Sequence, residues 1–246
     1  MAQTVFNRYE KKYLMTEPVY RALRTRLDRY MKQDQYGQHT ICNIYFDTAN
    51  SLLIRRSLEH PVYKEKLRLR SYGVPDMDST VYLEIKKKYR RVVNKRRIPL
   101  KLGEAYDYLQ NGIRPPAGGQ ILREIDFFLQ RYELLPQLCL CYDRIALFGL
   151  KDPEFGVTFD RNIRSRRLAV GLENGDWGQR LLPGDYVLME SKILGAAPVW
   201  FADILAELDI YPISFSKYGN IYRKENGLWN LDSIMTHRVE NWRGIA

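Results

Sequence analysis

Charged and apolar residues alternate along several short segments of this chain, and the charges on those segments are nearly all positive. In a β-strand, residues two apart share a face. On that reading Arg8, Glu10 and Lys12 form one row, and Lys66, Arg68 and Arg70 form another with Leu67 and Leu69 on the opposite face. Glu84, Lys86 and Lys88 repeat the pattern against Leu83 and Ile85. Lys95 with Arg97, Tyr142 with Arg144, and Glu190 with Lys192 complete it. Counted with Lys217, these positions hold twelve bases and three acids. Any half-buried antiparallel strand alternates with its charges facing water. Such a face normally mixes signs, because like charges opposite one another on paired strands are unfavourable. A one-signed face recurring on strands far apart in sequence therefore predicts an α+β protein built on an antiparallel β-barrel. Its basic faces would line a tunnel and its apolar faces would meet helices packed outside. A polyanion inside would neutralise the lining.

The bulk charge agrees. There are 39 Lys and Arg against 29 Asp and Glu, a formal net charge of +10, which favours nucleic acid, anionic membrane or a phosphate-rich small molecule as partner. Nucleic acid is the less favoured of these, since no R-G-G tract, zinc finger or RNP-like segment is present. Cys42, Cys139 and Cys141 are an odd count without zinc spacing, and read as strand packing in a reducing compartment. His39, His60 and His237 are scattered singly and read as loop or surface residues. No apolar stretch is long enough to span a bilayer and the N-terminus is polar, so a soluble, cytoplasmic protein is expected.

Strands are expected at Asn7–Leu14, Cys42–Asp47, Lys64–Tyr72, Thr80–Lys88, Arg91–Leu100, Gln137–Phe148, Gly156–Ile163 and Asp185–Ile193. Helices are expected from an N-cap at Thr16 to about Lys32, over Gly119–Tyr132, over Ala197–Leu208 and after Tyr218. No linker or repeat divides the chain, and residues 1–246 read as one domain.

The three acids carry the metal question. Hard cations such as Mg²⁺ or Mn²⁺ take oxygen ligands, so Glu190, Glu10 and Glu84 are the candidate ligands, with phosphate oxygens completing the shell. For Glu10 and Glu84 simple pairing with a neighbouring base is the competing reading; for Glu190 the metal role is preferred.

Nine segments in order carry a resemblance: R-Y-E-K-K-Y (Arg8–Tyr13), N-I-Y-F-D-T (Asn43–Thr48), L-R-L-R-S-Y-G (Leu67–Gly73), Y-L-E-I-K (Tyr82–Lys86), N-K-R-R-I-P-L (Asn94–Leu100), Y-D-R (Tyr142–Arg144), V-T-F-D (Val157–Asp160), L-M-E-S-K (Leu188–Lys192) and S-K-Y (Ser216–Tyr218). Over about residues 5 to 225 the chain resembles the catalytic domain of the vacuolar transporter chaperone (VTC) polyphosphate polymerases, within the triphosphate tunnel metalloenzymes. The resemblance implies a polymerase that moves the γ-phosphoryl group of ATP onto inorganic polyphosphate with Mn²⁺ or Mg²⁺. It implies that Lys12, Arg68, Arg70, Lys86, Lys95, Tyr142, Arg144 and Lys217 bind phosphates and that Glu190 binds the metal. Lys12, Arg68, Arg70, Lys86, Arg144 and Glu190 are the expected catalytic set. Arg8, Lys66, Arg97 and Lys192 join the phosphate-binding set by their place on the basic faces. Related tunnel enzymes begin with Glu-x-Glu-x-Lys, whereas this chain has Arg8-x-Glu10-x-Lys12, which points to the polymerase branch. Where the family often has an Arg before V-T-F-D, this chain has Gly156, and Arg161, Arg164 or Arg166 are the candidate replacements. A phosphohydrolase on the same scaffold and a non-catalytic polyphosphate-binding module are the alternatives. A separate membrane partner is left open.

Overall fold

A computed structural model describes residues 5–90, 92–116 and 119–236, with side chains from Tyr9 onward except those of residues 233, 235 and 236. Arg8 thus has its backbone in the first strand but its side chain outside the described residues, as does all of His237. The strands are β1 (Val5–Thr16), β2 (Met31–Gln33), β3 (His39–Asp47), β4 (Tyr63–Tyr72), β5 (Thr80–Tyr89), β6 (Val92–Lys101), β7 (Leu135–Gly149), β8 (Gly156–Arg166), β9 (Gln179–Arg180) and β10 (Tyr186–Ile193). The helices are α1 (Glu17–Leu27), α2 (Leu52–Leu58), α3 (Leu102–Asn111), α4 (Gln120–Arg131), α5 (Val199–Glu207), α6 (Lys217–Glu225) and α7 (Leu231–Thr236). The hydrogen-bonded order is β2-β7-β3-β4-β5-β6-β1-β10-β8-β9, and β7 also pairs with β8. Every strand from β7 round to β8 in that order therefore has at least two neighbours. The expected α+β class with an antiparallel sheet is what the chain forms.

The chain packs as two compact units, neither of them contiguous in sequence. The first comprises Thr40–Tyr142 and Arg164–Gln179 with the start of β1; the second comprises Arg8–His39, Asp143–Ile163 and the chain from Arg180. In the first unit the apolar faces of β3 to β6, through Ile44, Leu67, Leu69, Leu83, Ile85 and Ile98, bury against α3 and α4 through Tyr108, Leu122, Ile125 and Phe128. Cys42, Cys139 and Cys141 lie in this core as free, buried thiols. In the second unit Tyr13, Met15, Val187 and Met189 pack against Leu23 and Leu27 of α1 and Phe201 and Ile204 of α5.

Two local devices set the starts of helices. The Asp47 carboxylate accepts from the backbone N–H groups of Leu53 and Ile54 at 2.8 and 2.9 Å, and so caps α2. Glu104 reaches back to the Lys101 N–H at 3.0 Å and anchors the start of α3. Neither helix was expected from the pattern. At α1 the expectation was too long: Thr16 stands at the N-cap without a side-chain bond, and the helix ends at Leu27. Met31 continues the helical spacing of Leu23 and Leu27, but it is used as the first residue of β2, paired with Gly149.

Candidate functional site

The expected site residues fall into two clusters, one in each unit. In the first unit β4, β5 and β6 are in register, so that Lys66 faces Lys86 and Lys86 faces Lys95 across the strands. One step along, Arg68 faces Glu84 and Glu84 faces Arg97; one step the other way, Lys64 faces Lys88. Alternation puts these residues on one face, and Glu84 is its single carboxylate among the positions of these three strands. The opposite face is mixed in sign. There Glu124 pairs with both Lys87 and Arg96, and Glu65 accepts from Tyr63 at 2.6 Å and Tyr132 at 3.2 Å.

Glu84 is fully buried, with Arg68 at 2.6 Å on one carboxylate oxygen and Lys95 at 2.6 Å on the other, and Arg70 at 3.8 Å. Burial works against its ionisation, but the positive charges of Arg68, Arg70 and Lys95 outweigh it and hold the carboxyl far below its usual range. The expectation that Glu84 could hold a metal gives way to the competing reading: it is the counter-ion of the cluster, closed in by bases. Burial also pushes the Lys95 ammonium well below the usual lysine range, with Glu84 pulling back and Arg70 and Arg68 pushing with it. Arg68 donates to the Tyr45 hydroxyl at 3.2 Å. Arg70 donates to Asn43 Oδ1 and to the Tyr142 hydroxyl, both at 2.9 Å, and Asn43 in turn donates to the Leu140 carbonyl. Asn43 and Tyr45 thus orient the two arginines. Both lie in the N-I-Y-F-D-T segment, yet neither was read as a site residue.

In the second unit Glu10 faces Lys192 and Lys12 faces Glu190 across β1 and β10, giving a square of two acids and two bases on one face. Lys12 donates to the Phe215 carbonyl at 2.7 Å and lies 4.0 Å from Glu190. Beside them on β8, Asp160 is buried and takes both ends of the Arg144 guanidinium at 2.6 and 2.8 Å, and Lys217 at 2.5 Å. Burial raises its pKa, but Arg144 and Lys217 outweigh that and bring it down to about 2. Lys217 opens α6, whose N-cap Ser216 accepts from the Gly219 N–H at 3.2 Å. Asp160 is the buried acid that ties Arg144 to Lys217, and the pattern missed it. Its clue was the V-T-F-D segment, where one acid follows an apolar pair on a strand otherwise rich in Arg.

Glu190 fits a divalent ion better than the other two acids. Thr158 lies directly across from it on β8, and its buried hydroxyl oxygen has no hydrogen-bond partner. A carboxylate and a hydroxyl side by side are the oxygen donors a hard cation takes. Among the described residues no three of His, Cys, Asp and Glu come together as a metal site, so substrate oxygens would have to supply much of the shell. Gly156 faces Lys192. The suggested replacements for its missing Arg are engaged elsewhere: Arg161 with Glu17 at 2.8 Å and the Tyr20 ring, Arg164 with Asp176, and Arg166 with the carbonyls of Ala169, Gly171 and Trp177.

An antiparallel sheet of this order, with a base-rich face set with a few buried acids and helices on its apolar side, is the triphosphate tunnel fold. A candidate adenylate cyclase from Bacillus halodurans is similar to it with a TM-score of 0.56 and 16% identity, over 87% of this chain and 96% of that one. An adenylyl cyclase candidate from Hippeastrum, described as having a dominant triphosphatase activity, gives 0.55 and 15% over 91% and 98%. Residues 7–225 match the VTC domain, and the chain belongs to that family. No curated protein matches it.

Proposed function

We propose that this chain is a polyphosphate polymerase that transfers the γ-phosphoryl group of ATP to inorganic polyphosphate with Mn²⁺ or Mg²⁺. The observation that carries the reading is the rank of Lys66, Lys86 and Lys95 set directly opposite one another on three paired strands. Such a rank repels itself and is relieved by a polyanion laid across it. VTC family membership supports phosphate chains as that polyanion.

In the reaction a terminal oxygen of the acceptor attacks the γ-phosphorus in line. The bond from that phosphorus to the β–γ bridging oxygen breaks, ADP leaves, and the acceptor is one phosphate longer. The protein's share is to hold two highly charged reactants in line and to neutralise the equatorial oxygens. Arg68 and Arg97 bring planar forks and the lysines bring point charges. Lys12, Arg144 and Lys217 do the same in the second cluster. Glu190 and Thr158 would hold the divalent ion, which when bound supplies further positive charge to the phosphate oxygens.

The second reading is a triphosphate phosphohydrolase, with water as acceptor; the fold shared with the Hippeastrum protein of triphosphatase activity supports it. Incubating the protein and its Glu190→Ala variant with ATP and Mn²⁺, then Mg²⁺, separates the two. Polyphosphate on a gel, made by the parent and lost in the variant, is the expected result. Orthophosphate without polymer would move the assignment to the hydrolase. Tight polyphosphate binding without either product would leave a binding module.

A further inference from the structure

The cationic face of β4 and β5 changes character at one end. Beyond Arg70 on β4 comes Tyr72, and directly opposite Arg70 on β5 stands Tyr82. Both tyrosines share the parity of the cations and so lie on the same face. Their rings meet edge to face at 5.7 Å and 84°, and the Arg97 guanidinium lies over the Tyr82 ring at 4.7 Å. Tyr72 is 51% exposed. Its backbone is pinned just beyond: Gly73 takes a φ of +79°, donates to the Thr40 carbonyl at 2.8 Å, and its carbonyl accepts from the Ser71 hydroxyl at 2.7 Å. A half-exposed ring braced by a second ring is a stacking surface for a planar group.

The order along this face of β4 is lysine, then arginine, then tyrosine, and on β5 the lysines again lead to a tyrosine, Tyr82. A nucleoside triphosphate has the same order, from terminal phosphate to ribose to base. We propose that Tyr72 is the stacking platform for the nucleobase of the donor nucleotide, with Tyr82 as the positioning residue that holds both Tyr72 and Arg97. The proposal rests on the ATP-dependent reading above and deepens it, because it names what separates a nucleotide from an inorganic phosphate chain of similar charge. Every base has a π-face, so the platform selects nucleotides as a class and not adenine among them.

The test is calorimetric binding of ATP, GTP and inorganic tripolyphosphate, each with Mg²⁺, to the parent, Tyr72→Ala and Tyr72→Phe. Tyr72→Ala should weaken ATP and GTP by about tenfold, toward the low end of what one base–aromatic stack contributes, and so shift the ratio of nucleotide to tripolyphosphate dissociation constants. Tyr72→Phe keeps the ring and should keep the parent ratio. An unchanged ratio in Tyr72→Ala, or equal weakening of all three ligands, overturns the platform while leaving phosphate binding intact. A parent protein that binds none of the three overturns the phosphate-chain reading along with it.

Discussion

Glu84 and Asp160 are both fully buried carboxylates, each held between cations from neighbouring elements. In Glu84→Gln the shape is kept and the charge removed, which leaves Arg68, Arg70 and Lys95 crowded with no counter-charge from that side chain. Breaking a buried pair in this way costs about 3 kcal/mol or more. Urea unfolding should show that loss, and added tripolyphosphate should recover part of it by standing in for the missing charge. A variant as stable as the parent would mean that Glu84 does not restrain these cations. Asp160 has a folded pKa of about 2, below the ordinary value of about 3.9. Its ionised form is therefore favoured by folding, and the contribution is complete above about pH 4 and lost as the pH falls through 2, on the order of 2 kcal/mol. Urea midpoints measured downward from pH 5 should fall less steeply in that window for Asp160→Asn; parallel profiles would argue against the assignment.

At the scale of elements, α6 joins stability to the site, because its N-cap Ser216 and its first residue Lys217 are adjacent. Ser216→Ala should cost about 1 kcal/mol and loosen Lys217 from Asp160. Thermal unfolding and tripolyphosphate binding should fall together, and Ser216→Thr should restore both. The strands carrying the site were legible because their period of two is strong: Lys66, Arg68 and Arg70 alternate with Leu67 and Leu69, and the faces follow. The partners of those cations were not legible. Glu84 meets Lys95 and Asp160 meets Arg144 through pairings between strands, and a pattern read along one strand carries no information on its neighbour's register. Helices α2 and α3 were missed for a related reason. Each is started by a side-chain bond to a backbone N–H that the pattern does not show: α2, only seven residues long, by Asp47, which lies at the end of the preceding strand and reads as part of it, and α3 by Glu104 reaching back to Lys101. Lys217 was found through the S-K-Y segment alone, since it lies on no strand.

For the whole molecule the excess of positive charge sets how it meets a ligand. The formal net charge is +10, and no helix among the described residues is long and apolar enough to cross a membrane. Attraction between partly exposed cations and a polyanion is screened within about 8–10 Å at physiological salt and within about 3 Å at 1 M. Tripolyphosphate affinity should therefore drop by about tenfold between roughly 0.05 and 0.5 M salt. Titration calorimetry across that range checks it, and a flat dependence would indicate that contacts other than charge hold the ligand.

The cations of β4 recur at every second residue, from Lys64 through Lys66 and Arg68 to Arg70, at intervals of about 6–7 Å. A polymer of identical anionic links meets much the same surroundings after each small advance along such a row, so no one placement is much deeper than the next. On the proposed function this favours creeping lengthwise over lifting away, and a growing product could move on without letting go. A nucleotide ending in a ring has no such freedom: it has one stopping place, and would wait there while the product moves.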